Sequence, residues 1–252
     1  MALSAYDKFH MLHRCWRLRF KSEVASIRYV REANLLGTTV LDIGANKGVF
    51  SIYLSRAAGP NGKLVSFEAQ PELGKHLSAM RASFSLDNMT LVNLGLSSSA
   101  GVLTMRRTAA GSGMASFHID AADGLDEIEI TVIRLDDYID EHDLGPVRFI
   151  KCDVEGHELP VFQGGAEMLR RDLPSLLFEC HDGEAENGEL FAFLIELGYD
   201  GFFYHVTPAD HSSWTHKGRG TFVHYSEYTD REYVHPDVHH RNYIFVQKGG
   251  KP

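Results

Sequence analysis

At 252 residues the chain is long enough for one sizeable domain, and 44% apolar residues with 23% charged ones describe a buried core under a charged surface. Lys and Arg number 25 against 34 Asp and Glu, and the resulting charge of −9 argues against a dedicated nucleic-acid binder. No uncharged apolar run is long enough to span a bilayer, and Asp7 and Lys8 fall where an export signal would be apolar, so the expected location is cytoplasmic.

From Ala5 to Leu36, the residues Phe9, Leu12, Trp16, Phe20, Val24 and Ile27 recur at helical spacing among Arg14, Arg17, Arg19 and Lys21. The pattern predicts one or two amphipathic helices with a basic face, suited to solvent, phosphate or an anionic surface. Residues 1–36 therefore read as an N-terminal helical extension, and 37–252 as a single α/β domain. The extension can pack on its own domain or on a neighbour's, which leaves a homo-oligomer open.

From Thr39 strands and helices alternate. Val40 to Gly44 reads as a buried parallel strand, Gly48 to Ala57 as a helix, and Lys63 to Glu68 as a second strand. Pro71 opens a second helix, and Thr90 to Leu96 reads as a third strand. Two antiparallel strands, Val102–Met105 and Glu129–Val132, interrupt the alternation as an inserted β-hairpin. Val147 to Asp153, a helix around Leu159 to Arg171, Ser175 to Glu179, a helix near Glu189 to Leu197 and a last strand Tyr243–Val246 complete the chain. Repeated βα units predict an open, mostly parallel sheet with helices on both faces.

In such sheets ligands bind outside the carboxyl ends of the strands. The first strand is followed by Asp42-Ile-Gly-Ala-Asn-Lys-Gly48, whose glycines permit close backbone approach, and the second ends on Glu68, a carboxylate able to accept both hydroxyls of a ribose. Asn46 stands where a dinucleotide fingerprint would have glycine. Asp42 would repel a phosphate and engage an amino group, so S-adenosylmethionine fits better than NAD or FAD. Neither a P-loop nor a Gly-x-Ser-x-Gly elbow is present. Two further strand ends deliver Asp153, Glu155, Glu179, His181 and Asp182 to one rim, a set suited to a general base or a hard divalent cation. Cys15, Cys152 and Cys180 form no Cys-x-x-Cys pair and give neither a disulfide framework nor a zinc knuckle.

The segments V-L-D-I-G-A-N-K-G, F-E-A-Q-P, V-N-L-G-L-S, R-L-D-D-Y, K-C-D-V-E-G-H-E and P-S-L-L-F-E, spread over Thr39 to Glu179, resemble the FkbM family of methyltransferases. The resemblance implies a class I, Rossmann-like methyltransferase sheet with an antiparallel last strand. It implies that Asp42, Gly44, Asn46 and Gly48 hold the methionine end of S-adenosylmethionine, Glu68 the ribose, with Ser97 near the adenine and Asp153 beside the same ligand. Its usual chemistry is O-methylation of sugars or natural-product hydroxyls, with magnesium in some members.

The expected catalytic residues are Asp153, His181 as leading base, and Glu155; the expected metal set is Asp153, Glu179 and Asp182. The expected acceptor is a hydroxyl of a saccharide or glycosylated metabolite. The alternatives are a polyketide, peptide or other small scaffold, and a non-catalytic cofactor-binding module. Of the 14 histidines, those at 181, 205, 211, 216, 224, 235, 239 and 240 cluster late beside Phe202, Phe203, Tyr204, Trp214, Phe222, Tyr225, Tyr228 and Tyr233. That region reads as an acceptor-recognition surface, with a transition-metal site around His235, His239 and His240 as the alternative, while His10, His13, His76 and His118 read as structural or solvated.

Overall fold

A computed structural model describes residues 2–120, 122, 124–180, 188–205, 220–227 and 242–252. The chain begins with α1 (Ala5–Arg17), a π-helical turn (Leu18–Ser22) and α2 (Val24–Glu32). Next come β1 (Thr39–Ile43), α3 (Val49–Ala58), β2 (Lys63–Phe67), α4 (Pro71–Phe84) and β3 (Met89–Val92). A small sheet follows, made of β4 (Gly95–Leu96), β5 (Gly101–Arg107) and β6 (Asp126–Ile133). The main alternation resumes with α5 (Leu135–Glu141), β7 (Val147–Cys152), α6 (Glu158–Gly164), α7 (Ala166–Asp172) and β8 (Ser175–Glu179). The last described elements are α8 (Glu189–Glu196), β9 (Tyr199–His205), β10 (Thr221–His224) and β11 (Asn242–Gln247).

The main sheet runs β10-β9-β11-β8-β7-β1-β2-β3. β8, β7, β1, β2 and β3 are parallel, and β11 pairs antiparallel with both β8 and β9. The expected mostly parallel sheet with an antiparallel last strand is therefore present, and β5 pairs antiparallel with β6 as the inserted hairpin.

Period-two alternation assigns the core. Val40, Leu64, Phe149 and Leu177 face one side, where Met11, Cys15, Ile27 and Val30 of the extension join Ile52 and Leu54 of α3. Leu41, Val65, Ile150 and Phe178 face the other, against Leu135, Phe162, Met168 and Phe191. Burial on both faces explains why these strands read as near-continuous apolar runs.

Three expectations change. The third strand is shorter than Thr90–Leu96: the Asn93 side-chain amide donates to the carbonyls of Glu68 (2.6 Å) and Gln70 (3.2 Å), and the chain crosses at that point from the main sheet to the small one. The Leu159–Arg171 helix is two helices, broken at Gly165, where a Cβ would come within 2.9 Å of Leu135 Cδ2. The aromatics Phe202, Phe203, Tyr204 and Phe222 belong to β9 and β10; Phe203 is fully buried and so faces no acceptor, while Phe202 and Phe222 pack partly on the core. The period-two spacing of aromatics there is that of a strand. Trp214, Tyr228, Tyr233 and the histidines at 211, 216, 235, 239 and 240 lie outside the described residues.

The R-L-D-D-Y segment gains a structural role. Buried Asp136 accepts from the backbone N–H groups of Glu167 (3.1 Å) and Met168 (2.9 Å), capping α7 from another helix. Asp136→Ala leaves one buried and one partly buried donor unpaired and is expected to cost about 2–3 kcal/mol in chemical denaturation. A loss below about 0.5 kcal/mol, the level of an ordinary surface change, would contradict that role.

Candidate functional site

The ligand end of the sheet is built around the turn after β1. Gly44 and Ala45 donate their N–H groups to the Phe67 carbonyl at 3.0 and 2.9 Å, tying the turn to the end of β2. Gly44 has a φ of 74°, and a Cβ there would collide with the Asp153 carbonyl, so only glycine lets β1 and the segment after β7 meet this closely. Asn46 also has positive φ, at 48°. Its N–H donates to Glu68 Oε2 at 2.7 Å, while Glu68 Oε1 accepts from Gln70 N–H at 2.8 Å. Burial pushes the Glu68 carboxyl up from its usual range, opposed by those two donors.

Two cavities flank this turn. The larger, about 250 Å³, is walled by Gly44, Asn46, Phe50, Asp153, Glu179 and, from the N-terminal extension, Arg14, Leu18 and Glu23. The smaller, about 60 Å³, is walled by Glu68, Leu96, Phe117, Glu155 and His157, with Ser112 and Gly113 from the inserted hairpin. Gly44, Asn46 and Asp153 line both. The Glu68 carboxylate and the apolar walls of Leu96 and Phe117 thus border the smaller cavity, and the turn at Gly44 to Asn46 borders both.

The expected cofactor residues divide. Gly44, Asn46, Glu68 and Asp153 line the cavities. Asp42 does not: it is fully buried beneath the turn, its Oδ2 accepts from Ser51 Oγ at 2.5 Å, and its Oδ1 has no partner among the described residues. Burial pushes its carboxyl up, opposed by the Lys151 ammonium and the Ser51 hydroxyl. Gly48 caps α3 at a φ of 83° and lies against α4, where a Cβ would come within 2.7 Å of Leu77 Cδ2. Its glycine serves helix packing. Ser97 stands one step behind the smaller cavity, its hydroxyl 3.0 Å from His157 Nε2.

Of the expected catalytic rim, Asp153 forms a 3.0 Å ion pair with buried Lys151. Burial alone would lower the Lys151 pKa, but the carboxylates of Asp153 and Asp42 outweigh it and hold the ammonium well above its usual range. Glu155, in a left-handed conformation at φ 53°, is exposed at the edge of the smaller cavity, and its carbonyl accepts from Ser116 Oγ at 2.6 Å. Glu179 reaches the larger cavity from the end of β8. His181 and Asp182 lie outside the described residues. Among the described residues no group of three or more His, Cys, Asp or Glu side chains is placed to hold a metal ion, so the expected metal set does not assemble from Asp153 and Glu179 alone.

Sequence reasoning missed Glu23. It sits at the break between the π turn and α2, with non-helical dihedrals of −118° and 38°. Its Oε2 accepts from Ser26 Oγ at 2.9 Å and Asn242 Nδ2 at 3.2 Å, across 219 residues of chain. Burial pushes the carboxyl up to about 7, opposed by the Ser26 hydroxyl and assisted by the nearby Glu179 and Asp153 carboxylates. No local motif marks it, because its importance comes from a fold that lays the extension over the β1 and β8 ends. The other missed device is an imidazole pair, buried His157 against exposed His118. His118 Nε2 lies 2.9 Å from His157 Nδ1, and burial together with that neighbour lowers the His157 pKa to about 4.

The strand order, the antiparallel β11 and the cleft outside β1, β2 and β7 define a class I S-adenosylmethionine-dependent methyltransferase fold. The O-methyltransferase of Bacillus cereus, crystallised with SAH, matches at a TM-score of 0.50 and 12% identity over 98% of this chain and 92% of that one. The sequence profile of the methyltransferase FkbM domain matches residues 42–200, and the chain belongs to that family. A methyltransferase FkbM from Methylobacillus flagellatus matches at a TM-score of 0.55 and 15% identity, over 92% of this chain. This chain spans only 48% of the length of that protein. The 31-O-demethyl-FK506 methyltransferase FkbM of Streptomyces tacrolimicus is 26% identical over 193 residues, 65% of this chain and 73% of that protein. Methyltransferase sdnD of Sordaria araneosa is also 26% identical, over 190 residues, 64% of this chain and 73% of that protein.

Glu158, buried with Oε1 accepting from Val154 N–H at 2.9 Å, has its carboxyl pushed up to about 7 by burial. The folded protein therefore holds this proton more tightly than the unfolded chain. Stability is fully present below the usual value of 4.5 and is lost as pH rises toward 7. Glu158→Gln removes the penalty, so its stability relative to the parent is expected to rise by about 1–3 kcal/mol between acid and mildly alkaline pH. Denaturant melts at both pH values check this, and a difference that stays flat or reverses would contradict it.

Proposed function

We propose that this chain transfers the methyl group of S-adenosylmethionine to a hydroxyl of an oxygen-rich small molecule, with a saccharide or glycosylated metabolite as the leading acceptor class. The observation that carries this is the meeting of the two cavities at Gly44, Asn46 and Asp153. A cofactor laid through the smaller cavity with its amino-acid end on the turn would present its methyl group to the larger one. The residues fit that cofactor. Glu68 uses one acceptor site per oxygen on backbone N–H groups, which leaves others for ribose hydroxyls. Leu96 and Phe117 supply apolar walls for a purine. When bound, the sulfonium supplies an electrophilic methyl carbon.

The protein's part is to bind, orient and take a proton. The acceptor oxygen must lie in line behind the methyl carbon, and positioning of this kind supplies much of the rate. Arg14, Glu23, Asn242 and Glu179 give the larger cavity the hydrogen-bonding groups to hold a polyol, while Phe50 and Leu18 cover its apolar parts. As the oxygen–carbon bond forms and the carbon–sulfur bond breaks, the hydroxyl proton passes to a base. His181 is the base expected from the sequence; among the described residues Glu23 is matched to the task, because a carboxyl near 7 both ionises and accepts a proton at neutral pH. Asp153 orients the cofactor and acceptor at their junction and is itself held by its ion pair with Lys151.

A natural-product scaffold is the second reading, favoured by the name of the Streptomyces relative, a methyltransferase of 31-O-demethyl-FK506. Incubation with methyl-labelled S-adenosylmethionine and panels of saccharides and natural products, read by mass spectrometry, separates the two. Label on sugar hydroxyls supports the first, label only on non-glycosylated scaffolds the second, and no label on any hydroxyl contradicts O-methylation. With the acceptor in hand, the parent kcat is expected to rise with pH through about 7. Glu23→Gln is expected to remove that limb and lower kcat by about 10²–10⁴-fold. An unchanged profile in Glu23→Gln and its loss in His181→Ala would assign the base to His181. Turnover abolished by chelation and restored by magnesium would support a metal held by Asp153, Glu179 and Asp182; turnover that survives chelation would exclude it.

A further inference from the structure

The outer face of α1 is unlike the rest of the surface. Tyr6, Phe9, Leu12, Trp16 and Phe20 are between 45% and 70% exposed and form one continuous stripe along α1 and the π turn. At about 100° per residue the stripe falls opposite Met11 and Cys15, the two residues by which α1 is buried against the domain. Five large apolar side chains on one helix face exceed the scattered apolar exposure of an ordinary surface. The stripe takes no part in either cavity.

Basic residues run along its margins. Arg17 and Lys21 lie on one edge, Lys8 and Arg19 on the other, and Asp7 is the single acidic residue from Ala2 to Ser22. Lys21 Nζ sits 5.0 Å from the Trp16 ring and the Arg19 guanidinium 4.9 Å from the Phe20 ring, so the cations are held beside the aromatics. Charge is segregated along the whole chain. Residues 1–36 carry seven Lys and Arg against three Asp and Glu, leaving 18 against 31 for the remainder.

We propose that this face of α1 and the π turn seats on an anionic phospholipid surface. Aromatic and leucine side chains on one face, with Lys and Arg along the edges, are what an interfacial helix needs. The rings enter the headgroup boundary while the cations stay at phosphate level. Each basic residue near such a surface adds to the attraction, and the acidic body of the protein is turned away from it. A second copy of the chain is a poorer occupant. Twofold pairing of the stripe with itself would bring the two sets of basic margins together. The inference does not depend on which acceptor the larger cavity takes. It does give the extension two working sides, since Arg14 and Leu18 of the same segment wall that cavity.

Flotation of the full chain with vesicles tests it, using phosphatidylcholine alone and phosphatidylcholine mixed with phosphatidylglycerol. The protein is expected to float with the mixed vesicles and not with phosphatidylcholine alone, and to be released by high salt. Arg17→Gln with Lys21→Gln is expected to weaken association roughly thirtyfold. Phe9→Ser with Trp16→Ser is expected to weaken it at least about tenfold. All four positions are at the surface of α1 and its π turn, so thermal melts and S-adenosylmethionine binding are expected to be unchanged, which separates this result from failure of the methyltransferase reading. No flotation with anionic vesicles, or flotation indifferent to the Phe9 and Trp16 changes, would overturn the proposal. So would a dimer in sedimentation that the Phe9 and Trp16 changes dissociate without any vesicle binding, which would make the stripe a contact between copies.

Discussion

Glu68 lies almost out of water at the end of β2, where an unpaired carboxylate would be costly. Its two oxygens are each taken by a backbone N–H, one from Asn46 in the turn after β1 and one from Gln70 before α4. Charge-assisted bonds of this kind offset the burial and fix two loops at once. Asn46 is thereby held in a left-handed conformation, and Gly44 is held against the backbone of Asp153. The ends of β1, β2 and β7 are locked to one another before any ligand arrives. In the proposed role of Glu68, a ribose would meet a preorganised acceptor rather than a mobile side chain, which lowers the ordering cost of binding.

The elements added to this frame wall the cleft. The inserted hairpin brings Ser112, Gly113 and Phe117 over the smaller cavity, and the N-terminal extension brings Arg14, Leu18 and Glu23 over the larger. Both walls come from segments remote in sequence from the turn they cover. The π turn and the helix break at Glu23 are the local distortions that aim a carboxyl inward, in keeping with the tendency of π-helical turns to occur at functional positions. Buried charge at the centre converges on one ammonium. Lys151 answers both Asp153 and Asp42, so neither carboxylate lacks a nearby cation.

The strands, the inserted hairpin and the glycine-bearing turn after β1 were legible in the sequence because each rests on a local signal. Apolar runs mark strands buried on both faces, glycines mark backbone that must pass close to another segment, and Glu68 stands at a strand end. For Asp42, Gly48 and Ser97, strand polarity places the residues at the correct end of the sheet but does not say which side of the turn each faces. Asp42 turned down onto Ser51, Gly48 against α4, and Ser97 onto His157. The aromatics at 202–204 and 222 carry the period-two spacing of strands, which places Phe203 in the core. Glu23 was not legible at all, since only the packing of the extension across Asn242 gives it a place in the site.

The account therefore rests on Glu68 acting both as the tie between the loops and as the ribose acceptor. Calorimetric titration of S-adenosylmethionine into the parent chain and into Glu68→Ala tests this most directly. Saturable one-to-one binding by the parent, lost or weakened at least about a hundredfold in the variant while its α/β circular dichroism is retained, is the predicted result. Absence of binding by the parent at millimolar ligand, or equal affinity in the two proteins, would contradict it.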